Sequence, residues 1–264
     1  MNRQKVVIIT GAGSDIGKAV AELLAEKGFI VYGIDKNAFS HSKINALCAD
    51  INDYEAISNI FKTVYDKHGR IDGLINNAGF GIFGAIEDAK ISNMQSIVNT
   101  NFLSLSVCSK LIIPYLKQSK GRLVNIGSIG GNIPLPYQAM YSATKSAVEV
   151  FSRALATEVR GFGVRVTCVM PGDTKTGFTA ARLKDGEDNN DNYAKMHKSI
   201  SKMEHDEQNG MSPLKVARVV YKTLTCKKRK LRVAVGCSSK MIIFLSKILP
   251  VKAVDYIVRK MYAS

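Results

Sequence analysis

The 264-residue sequence has few cysteines and histidines, and neither residue type is spaced like a metal site. The five cysteines, at positions 48, 108, 168, 226 and 237, are widely scattered and form no Cys-x-x-Cys pair. The four histidines also lack the spacing of metal ligands. We therefore expect no disulfide framework and no metal, and this cysteine pattern is typical of a cytoplasmic protein.

The sequence also lacks long apolar segments. The apolar run at the N-terminus is short and is followed by glycine, whereas a signal peptide needs a longer run and a cleavage site. No stretch reaches the roughly 18 uninterrupted apolar residues of a membrane-spanning helix. The length fits one α/β domain with a substantial core, so we predict a single domain over residues 1–264.

Apolar strands alternate with amphipathic helices along most of the chain. The pattern predicts strands at 5–10, 29–34, 71–75, 122–126 and 164–169, with a last strand at 232–235. It predicts helices at 18–27, 54–68, 91–116 and 142–159. This alternation indicates an α/β, doubly wound Rossmann fold, in which helices cover both faces of a parallel sheet. Ligands of such sheets bind beyond the carboxyl ends of the strands.

Glycines between the first strand and the first helix indicate a nucleotide-binding turn. In TGAGSDIG (10–17), Gly11 permits a tight turn, Gly17 permits close packing of helix and strand, and Ser14 can donate to a phosphate. The helix N-terminus would favour a pyrophosphate. Because the spacing is not G-x-G-x-x-G, a purely structural glycine turn is the alternative.

The residues after the second strand bear on the choice of nucleotide. Asp35 lies where a carboxylate can accept hydrogen bonds from an adenosine ribose, and it would repel a 2′-phosphate. The adjacent Lys36 could instead hold that phosphate. We therefore favour NAD and keep NADP as the alternative. Asp50 and Ile51, which follow a short apolar stretch, are candidates to flank the adenine.

Tyr141 and Lys145 are four residues apart near the start of a predicted helix, so their side chains share a face. A tyrosine phenol has a pKa near 10, which is too high for a base at neutral pH. A neighbouring ammonium, together with an oxidised nicotinamide, would lower that pKa. Tyr141 could then take a proton from an alcohol or donate one to a carbonyl. On its own, such a pair is more often two ordinary neighbours on a helix surface.

Six motifs, taken in order, resemble those of the single-domain short-chain dehydrogenase/reductase family. They are TGAGSDIG (10–17), NNAG (76–79), Asn101 within VNTNFLS, Ser128 within NIGSIGG, YSATK (141–145) and PGDTKT (171–176). Their order and spacing match over about residues 5–180. The resemblance implies a nicotinamide-dependent oxidoreductase, and it also implies a homodimer or homotetramer formed through paired long helices.

The resemblance implies a role for each matching residue. Tyr141 would be the acid–base group, Lys145 would bind the nicotinamide ribose and lower the tyrosine pKa, and Ser128 would hydrogen-bond the substrate oxygen. Asn101 would kink its helix and anchor a water that links Lys145 to solvent. With Tyr141 and Lys145, the candidate cofactor contacts are Gly11, Ser14, Asp15, Ile16, Gly17, Asp35, Lys36, Asp50, Ile51, Asn77, Ala78, Gly79, Pro171, Gly172, Thr174 and Thr176.

One of these positions departs from the family pattern. Asp15 replaces the usual central glycine of the first loop. Aspartate tolerates a positive φ better than most residues, so we expect the turn to form. A carboxylate near the phosphates nevertheless puts the local cofactor contacts in doubt.

Residues 176–212 are polar, rich in Asp, Asn, Glu and Lys, and lack strong periodicity. They follow the PGDTKT motif and are in a position to cover the active site, so we predict a substrate lid there. A solvated insertion is the alternative. Met196 and Met203 are candidates to line an apolar substrate pocket.

Positive charge is concentrated in residues 213–264, a basic amphipathic C-terminal segment. The chain carries +15, and this segment holds 13 Lys or Arg residues and one acid, Asp255. Peripheral contact with an anionic membrane is one interpretation of this segment. The other is that its apolar face packs on the domain, lines the substrate pocket or joins a subunit interface. We expect no nucleic acid partner, because no aromatic platform or recognition motif accompanies the charge.

These features predict an NAD(P)-dependent oxidoreductase that interconverts a secondary alcohol and a ketone by hydride transfer. The predicted lid and the apolar C-terminal segment favour a bulky apolar substrate, such as a steroid, a retinoid or a lipid-like carbonyl. The alternative is a cofactor-binding regulatory or membrane-surface protein without turnover.

Overall fold

The computed structural model describes residues 4–185, 194–228 and 230–262. The strands in these ranges are β1 (Val6–Thr10), β2 (Ile30–Asp35), β3 (Asn45–Cys48), β4 (Gly73–Asn76), β5 (Ile82–Phe83), β6 (Arg122–Ile126), β7 (Arg165–Pro171), β8 (Leu183–Lys184) and β9 (Arg232–Val235). Seven strands form one parallel sheet in the order β3-β2-β1-β4-β6-β7-β9. The short strands β5 and β8 pair separately.

Helices cover both faces of this sheet. They are α1 (Asp15–Glu26), α2 (Tyr54–His68), α3 (Ile91–Val98), α4 (Ser104–Ser119), α5 (Ala139–Glu158), α6 (Ala194–Gln208), α7 (Pro213–Thr225), α8 (Cys237–Ile248) and α9 (Val251–Tyr262). On one face α2, α4 and α5 bury Phe61, Ile112 and Leu155 against the strands. On the other face α1 and α7 bury Leu24 and Val220. The predicted doubly wound Rossmann fold is therefore confirmed.

Local signals fix the bounds of α2, which coincide with the predicted helix. The Asp53 side chain accepts a hydrogen bond from the Ala56 N–H and so caps the first turn. At the other end Gly69 adopts a left-handed conformation with φ of 67° and terminates the helix.

The long helix predicted over 91–116 is divided in the structure. Between α3 and α4 the chain forms a π-helical turn at Asn99–Leu103, which widens the helix by one residue per turn. Ile91–Ser119 is long and apolar enough to cross a membrane by length and composition. Leu105, Ile112 and Leu116 are buried in the domain, however, so this segment is a core helix here.

The basic C-terminal segment occupies three different places in the fold. Helix α7 packs on α1 and belongs to the core. Lys227 and Lys230 lie at the amino edge of the sheet, where their carbonyls accept hydrogen bonds from Arg165 and Thr167 of β7. Because β9 is parallel to β7, the chain then crosses the sheet and delivers α8 and α9 to the carboxyl edge.

Candidate active site

One cavity of about 690 Å³ lies at the carboxyl edge of the sheet. It is lined by nearly all the residues that the sequence suggested, namely Gly11, Ser14, Asp15, Ile16, Asp35, Lys36, Asp50, Ile51, Asn77, Ala78, Gly79, Ser128, Tyr141, Lys145, Pro171, Gly172, Thr174 and Thr176. Two of the suggested catalytic and cofactor-binding residues, Gly17 and Asn101, are not part of the cavity wall. The cavity therefore extends from the glycine turn to Ser128, Tyr141 and Lys145, and its size suits a small-molecule ligand.

The glycine turn is shaped by close approach of backbone atoms. Gly11 has φ of 65°, and a Cβ on Gly17 would lie 1.8 Å from the Gly11 carbonyl oxygen. The Asn77 side-chain amide donates to the carbonyls of Thr10 and Gly11 and holds the turn against β4. The Ser14 hydroxyl does not cap α1, although it lines the cavity. The turn thus offers a hydroxyl and a helix N-terminus to an anionic group, which fits the pyrophosphate of a dinucleotide.

Asp15 is accommodated in this turn with φ of 51°. Its carboxylate accepts a hydrogen bond of 2.7 Å from the Gly177 N–H, which lies just after β7 in the predicted lid. The sequence suggested that this carboxylate could disturb the contacts with the phosphates. In the structure it has a hydrogen-bond donor within the protein, which stabilises its negative charge.

The Asp35 carboxylate ends β2 beside the glycine turn. Its Oδ2 accepts a hydrogen bond from the Gly13 N–H at 2.9 Å, and its Oδ1 accepts one from the Asn37 N–H at 3.0 Å. These two amides orient the carboxylate at the cavity wall next to the exposed Lys36. An anionic oxygen is therefore held where the sequence suggests an adenosine ribose.

Asn101 lies in the π-helical turn, where its side chain is buried. Its Oδ1 accepts a hydrogen bond from the Phe80 N–H, and its Nδ2 donates to the Phe80 carbonyl. Gly79 allows this approach, since a Cβ there would lie 2.9 Å from Asn101 Oδ1 and 3.7 Å from Lys145 Nζ. The π-helical turn thus holds the Asn101 side chain against the backbone of Phe80, next to the glycine that leaves room for Lys145 Nζ.

Lys145 is almost completely buried, and its Nζ donates to the Ile126 carbonyl at 3.0 Å. Burial disfavours the ammonium and lowers the pKa of Lys145 to about 8. Its Nζ lies 5.8 Å from the centroid of the Tyr141 ring. The lysine therefore sits beside the tyrosine with a charge that titrates near physiological pH.

Burial raises the pKa of Tyr141, whereas the sequence suggested that a neighbouring ammonium would lower it. A hydrogen bond with Ser128 and the positive charge of Arg182 oppose this effect, and the carboxylates of Glu207 and Asp173 add to it. The expected direction was wrong because desolvation of the phenol outweighs the hydrogen bond with Ser128 and the charge of Arg182. In the structure Tyr141 is therefore a protonated phenol at neutral pH, which suits a proton donor.

Sequence reasoning missed a buried cluster that adjoins Tyr141. The Arg182 guanidinium forms an ion pair with Glu207 and stacks on Phe83, with 4.2 Å from its Cζ to the ring centroid. It also lies over Phe178, whose ring centroid is 5.8 Å from that of Tyr141. No local pattern indicates these contacts, because Phe83 and Tyr141 are distant in the sequence from the aperiodic segment that contains Arg182.

The part of the cavity beyond Tyr141 is mostly apolar and is formed by α6, α8 and α9. Its apolar lining consists of Met203, Ile242, Leu245, Leu249, Val254, Ile257, Val258 and Met261. We call this part the apolar arm. Met203 is one of the two methionines that the sequence suggested for a substrate pocket, whereas Met196 is buried elsewhere.

The wall of the cavity near Tyr141 is polar. Gln138 is buried there, its Nε2 donates to the Met203 sulfur, and its Oε1 has no hydrogen-bond donor. Asp173 and Glu207 also line the cavity. Removal from water, together with the charges of Glu207 and Asp206, raises the pKa of Asp173. This polar wall would therefore gain from a ligand that brings N–H or O–H donors and positive charge.

No group of three or more His, Cys, Asp or Glu side chains is placed to hold a metal ion within the ranges that the structure describes. The polar chemistry of the cavity there rests on hydroxyl, phenol, ammonium, amide and carboxylate groups.

A sequence profile of the family described as short chain dehydrogenase matches residues 5–187. The chain is 37% identical over 264 residues to the 3-ketodihydrosphingosine reductase of Bacteroides thetaiotaomicron, and the match covers 98% of each chain. It is similar to the solved structure of a short-chain dehydrogenase from Streptomyces avermitilis, with a TM-score of 0.83, 27% identity, and coverage of 98% of this chain and 96% of that one. It is also similar to ElxO with NADP bound, with a TM-score of 0.74, 25% identity, and coverage of 90% of this chain and 99% of that one.

Proposed function

Because the chain belongs to the short-chain dehydrogenase family, whose members oxidise alcohols or reduce ketones with a nicotinamide nucleotide, we propose that it reduces 3-ketodihydrosphingosine or a close analogue. Such a substrate has a ketone next to a carbon that carries an ammonium group, a terminal hydroxyl, and a long alkyl chain. The proposal thus specifies a long-chain amino ketone as the substrate class.

The apolar arm is the observation that carries this proposal. It belongs to the same cavity as Tyr141 and includes side chains of α8 and α9, so an alkyl chain attached to a ketone at Tyr141 would exchange contact with water for contact with apolar side chains. Each buried methylene contributes about 0.8 kcal/mol to binding. The similarity to 3-ketodihydrosphingosine reductase also extends over 98% of this chain, and therefore includes these helices.

The polar wall suits the other end of such a substrate. The Gln138 Oε1 can accept a hydrogen bond from an ammonium or hydroxyl group, which would satisfy a buried acceptor that has no donor in the described structure. Burial and the repulsion from Glu207 and Asp206 raise the pKa of Asp173, and an ammonium nearby would offset both effects. The cavity therefore combines an acceptor-rich wall with an apolar arm, and the two meet where Gln138 contacts Met203.

The reduction needs one proton and one hydride. When bound, the reduced nicotinamide supplies the hydride to the ketone carbon. Tyr141 donates its phenolic proton to the ketone oxygen, and Ser128 holds that oxygen by a hydrogen bond. The Lys145 ammonium stabilises the phenolate that remains, and Asn101 orders the path by which the tyrosine is reprotonated from solvent.

We favour NADH as the reductant, with NADPH as the alternative. The Asp35 carboxylate faces the cavity with two amide donors behind it, so it can accept the ribose hydroxyls and repel a 2′-phosphate. Gly11, Ser14 and Gly17 would form the pyrophosphate site at the start of α1.

The segment over 176–212 acts as the substrate lid in this proposal. Phe178, Leu183, Met203 and Glu207 from this segment all line the cavity. Residues 186–193, in the middle of the predicted lid, lie outside the described residues.

The test is a comparison of three ketones with the purified protein and either NADH or NADPH. The ketones are 3-ketodihydrosphingosine, the same chain without its amino group, and a short amino ketone. We expect the highest kcat/KM with the first and a loss with each of the others, because one lacks the ammonium and the other lacks the alkyl chain. A short ketone that matches the long amino ketone in kcat/KM would overturn the proposed substrate class.

A further inference from the structure

Helix α8 carries an apolar stripe on the outside of the protein. Met241, Phe244, Leu245 and Ile248 follow the i, i+3, i+4, i+7 spacing of one helix face. Met241, Phe244 and Ile248 are 60%, 62% and 63% exposed. An amphipathic helix normally turns such a stripe toward the core, so this orientation calls for a partner outside the domain.

Helix α9 extends the same exposed apolar surface. Val251, Tyr256, Ile257 and Met261 are also exposed, although Val258 on this helix is buried. Together α8 and α9 hold nearly half of the large exposed hydrophobic side chains in the described chain. Single exposed hydrophobic residues are normal on soluble proteins, but a concentration of this kind marks an interaction site.

The surface is continuous with the apolar arm of the cavity. Leu245, Ile257 and Met261 line the cavity and are also 41–44% exposed. The apolar wall of the substrate cavity therefore passes onto the outer surface without an intervening polar rim at these three residues.

Cations flank the apolar stripe. Lys240 and Lys247 are exposed and lie about one helical turn on either side of Phe244, and Lys252 is exposed at the start of α9. Asp255 is the only acid in α8 and α9. A second copy of the chain would bring like charges together at a shared face, whereas a layer of anionic headgroups would neutralise them.

We propose that α8 and α9 dock the protein on an anionic lipid bilayer. The α8 stripe inserts at the boundary between headgroups and acyl chains, and the lysines contact the headgroups. On the proposed function, the docked orientation turns the apolar arm toward the bilayer, so that a long-chain ketone enters the cavity directly from the membrane. Lys227 and Lys230 lie at the opposite edge of the sheet and take no part in this contact.

The test is flotation of the full-length protein with vesicles of phosphatidylcholine, with and without phosphatidylglycerol. We expect binding to the anionic vesicles that weakens as salt rises. Phe244→Ser/Ile248→Ser and Lys240→Gln/Lys247→Gln should each reduce the partition coefficient about tenfold or more. Lys227→Gln/Lys228→Gln, with the same change of charge, should leave it within about twofold because these residues face away from the proposed surface.

Phe244 and Ile248 do not line the cavity, so reduction of a micellar or short ketone should be unaffected by their substitution. Vesicle binding needs neither substrate nor nucleotide, so it can succeed even if the proposed substrate is wrong. Binding that is lost equally in the Lys227/Lys228 variant would overturn the proposal. So would a protein that does not float with the anionic vesicles. If that protein also changes from dimer to monomer on Phe244→Ser/Ile248→Ser, the surface binds a second copy instead.

Discussion

The Asp15 carboxylate accepts a 2.7 Å hydrogen bond from the Gly177 N–H, and this contact joins the glycine turn to the start of the predicted lid. The two residues come from opposite ends of the nucleotide-binding part of the fold. The aspartate that replaces the usual glycine therefore links the proposed cofactor site to the segment that lines the substrate cavity.

Hydrogen exchange of the Gly177 amide tests this link. Asp15→Gly retains the backbone conformation but removes the acceptor, and we expect exchange to be faster by about tenfold or more, since hydrogen bonds to charged groups contribute about 1.5–3 kcal/mol. Asp15→Asn tolerates the same positive φ and keeps a neutral acceptor, so its exchange rate should be intermediate. Equal rates in the three proteins would mean that the contact does not hold the segment.

Tyr141→Phe should abolish most of the reductase activity. Loss of the proton donor should lower kcat by at least about 100-fold, the lower range for general acid catalysis, while binding of the nucleotide is retained. Tyr137→Phe is the matched control, because it removes a phenol hydroxyl four residues earlier that does not line the cavity. A Tyr141→Phe protein with normal biological activity would favour the alternative of a binding or regulatory protein without turnover.

The buried Lys145 should make stability depend on pH. Its pKa is about 8 in the folded protein and near 10.5 when exposed, so between these values the unfolded state binds more protons. The free energy of unfolding should therefore rise as pH increases from about 8 toward 10, relative to Lys145→Met, in which the group is absent. Urea unfolding of both proteins at several pH values measures this difference. If the free energy of unfolding changes with pH in the same way in both proteins, burial does not lower the pKa of Lys145.

The same titration should affect turnover. Above about pH 8 the Lys145 ammonium loses its proton and no longer stabilises the phenolate, so kcat should decline in that direction. The measurement is kcat for the long-chain ketone at several pH values on either side of 8. A kcat that stays constant above pH 8 would contradict this prediction.

Asp35→Asn should shift the nucleotide preference toward NADPH. The substitution removes the charge that repels a 2′-phosphate and weakens the acceptor for the ribose, and we expect the ratio of kcat/KM for NADPH to that for NADH to rise about tenfold or more. Asp50→Asn is the control, since that carboxylate lines the same cavity but is proposed to lie at the adenine. An unchanged ratio in the Asp35 variant would remove the basis for favouring NADH.

Much of the fold and the polar part of the site could be predicted because their signals are local. The bounds of α2 follow from Asp53 and Gly69, and the strand Arg122–Ile126 follows from a short apolar run. The strand β3 was missed because it lies at the sheet edge and its side chains are partly exposed, which leaves no continuous apolar run.

Features that depend on contacts between distant residues could not be predicted. The family resemblance implied a kink at Asn101, but the helical periodicity of the sequence is uninterrupted there and indicates neither the π-helical form of the turn nor the contact between Asn101 and Phe80. The pKa direction of Tyr141 depends on how deeply tertiary packing buries the phenol. In the sequence the basic C-terminal segment is continuous. In the structure the strand β9 separates it, so that Lys227 and Lys230 lie at the amino edge of the sheet and α8 and α9 lie at the carboxyl edge.

Transfer of deuterium to the product is the most direct test of long-chain amino ketone reduction at Tyr141. The purified protein is mixed with 3-ketodihydrosphingosine and NADH that carries deuterium at both C4 positions of the nicotinamide, and the lipid is analysed by mass spectrometry. We predict a long-chain amino alcohol with one deuterium on the carbon that bears the new hydroxyl, formed at least about 100-fold more slowly by Tyr141→Phe. Absence of this alcohol with both NADH and NADPH, from protein that reduces a short ketone, would contradict the proposed function.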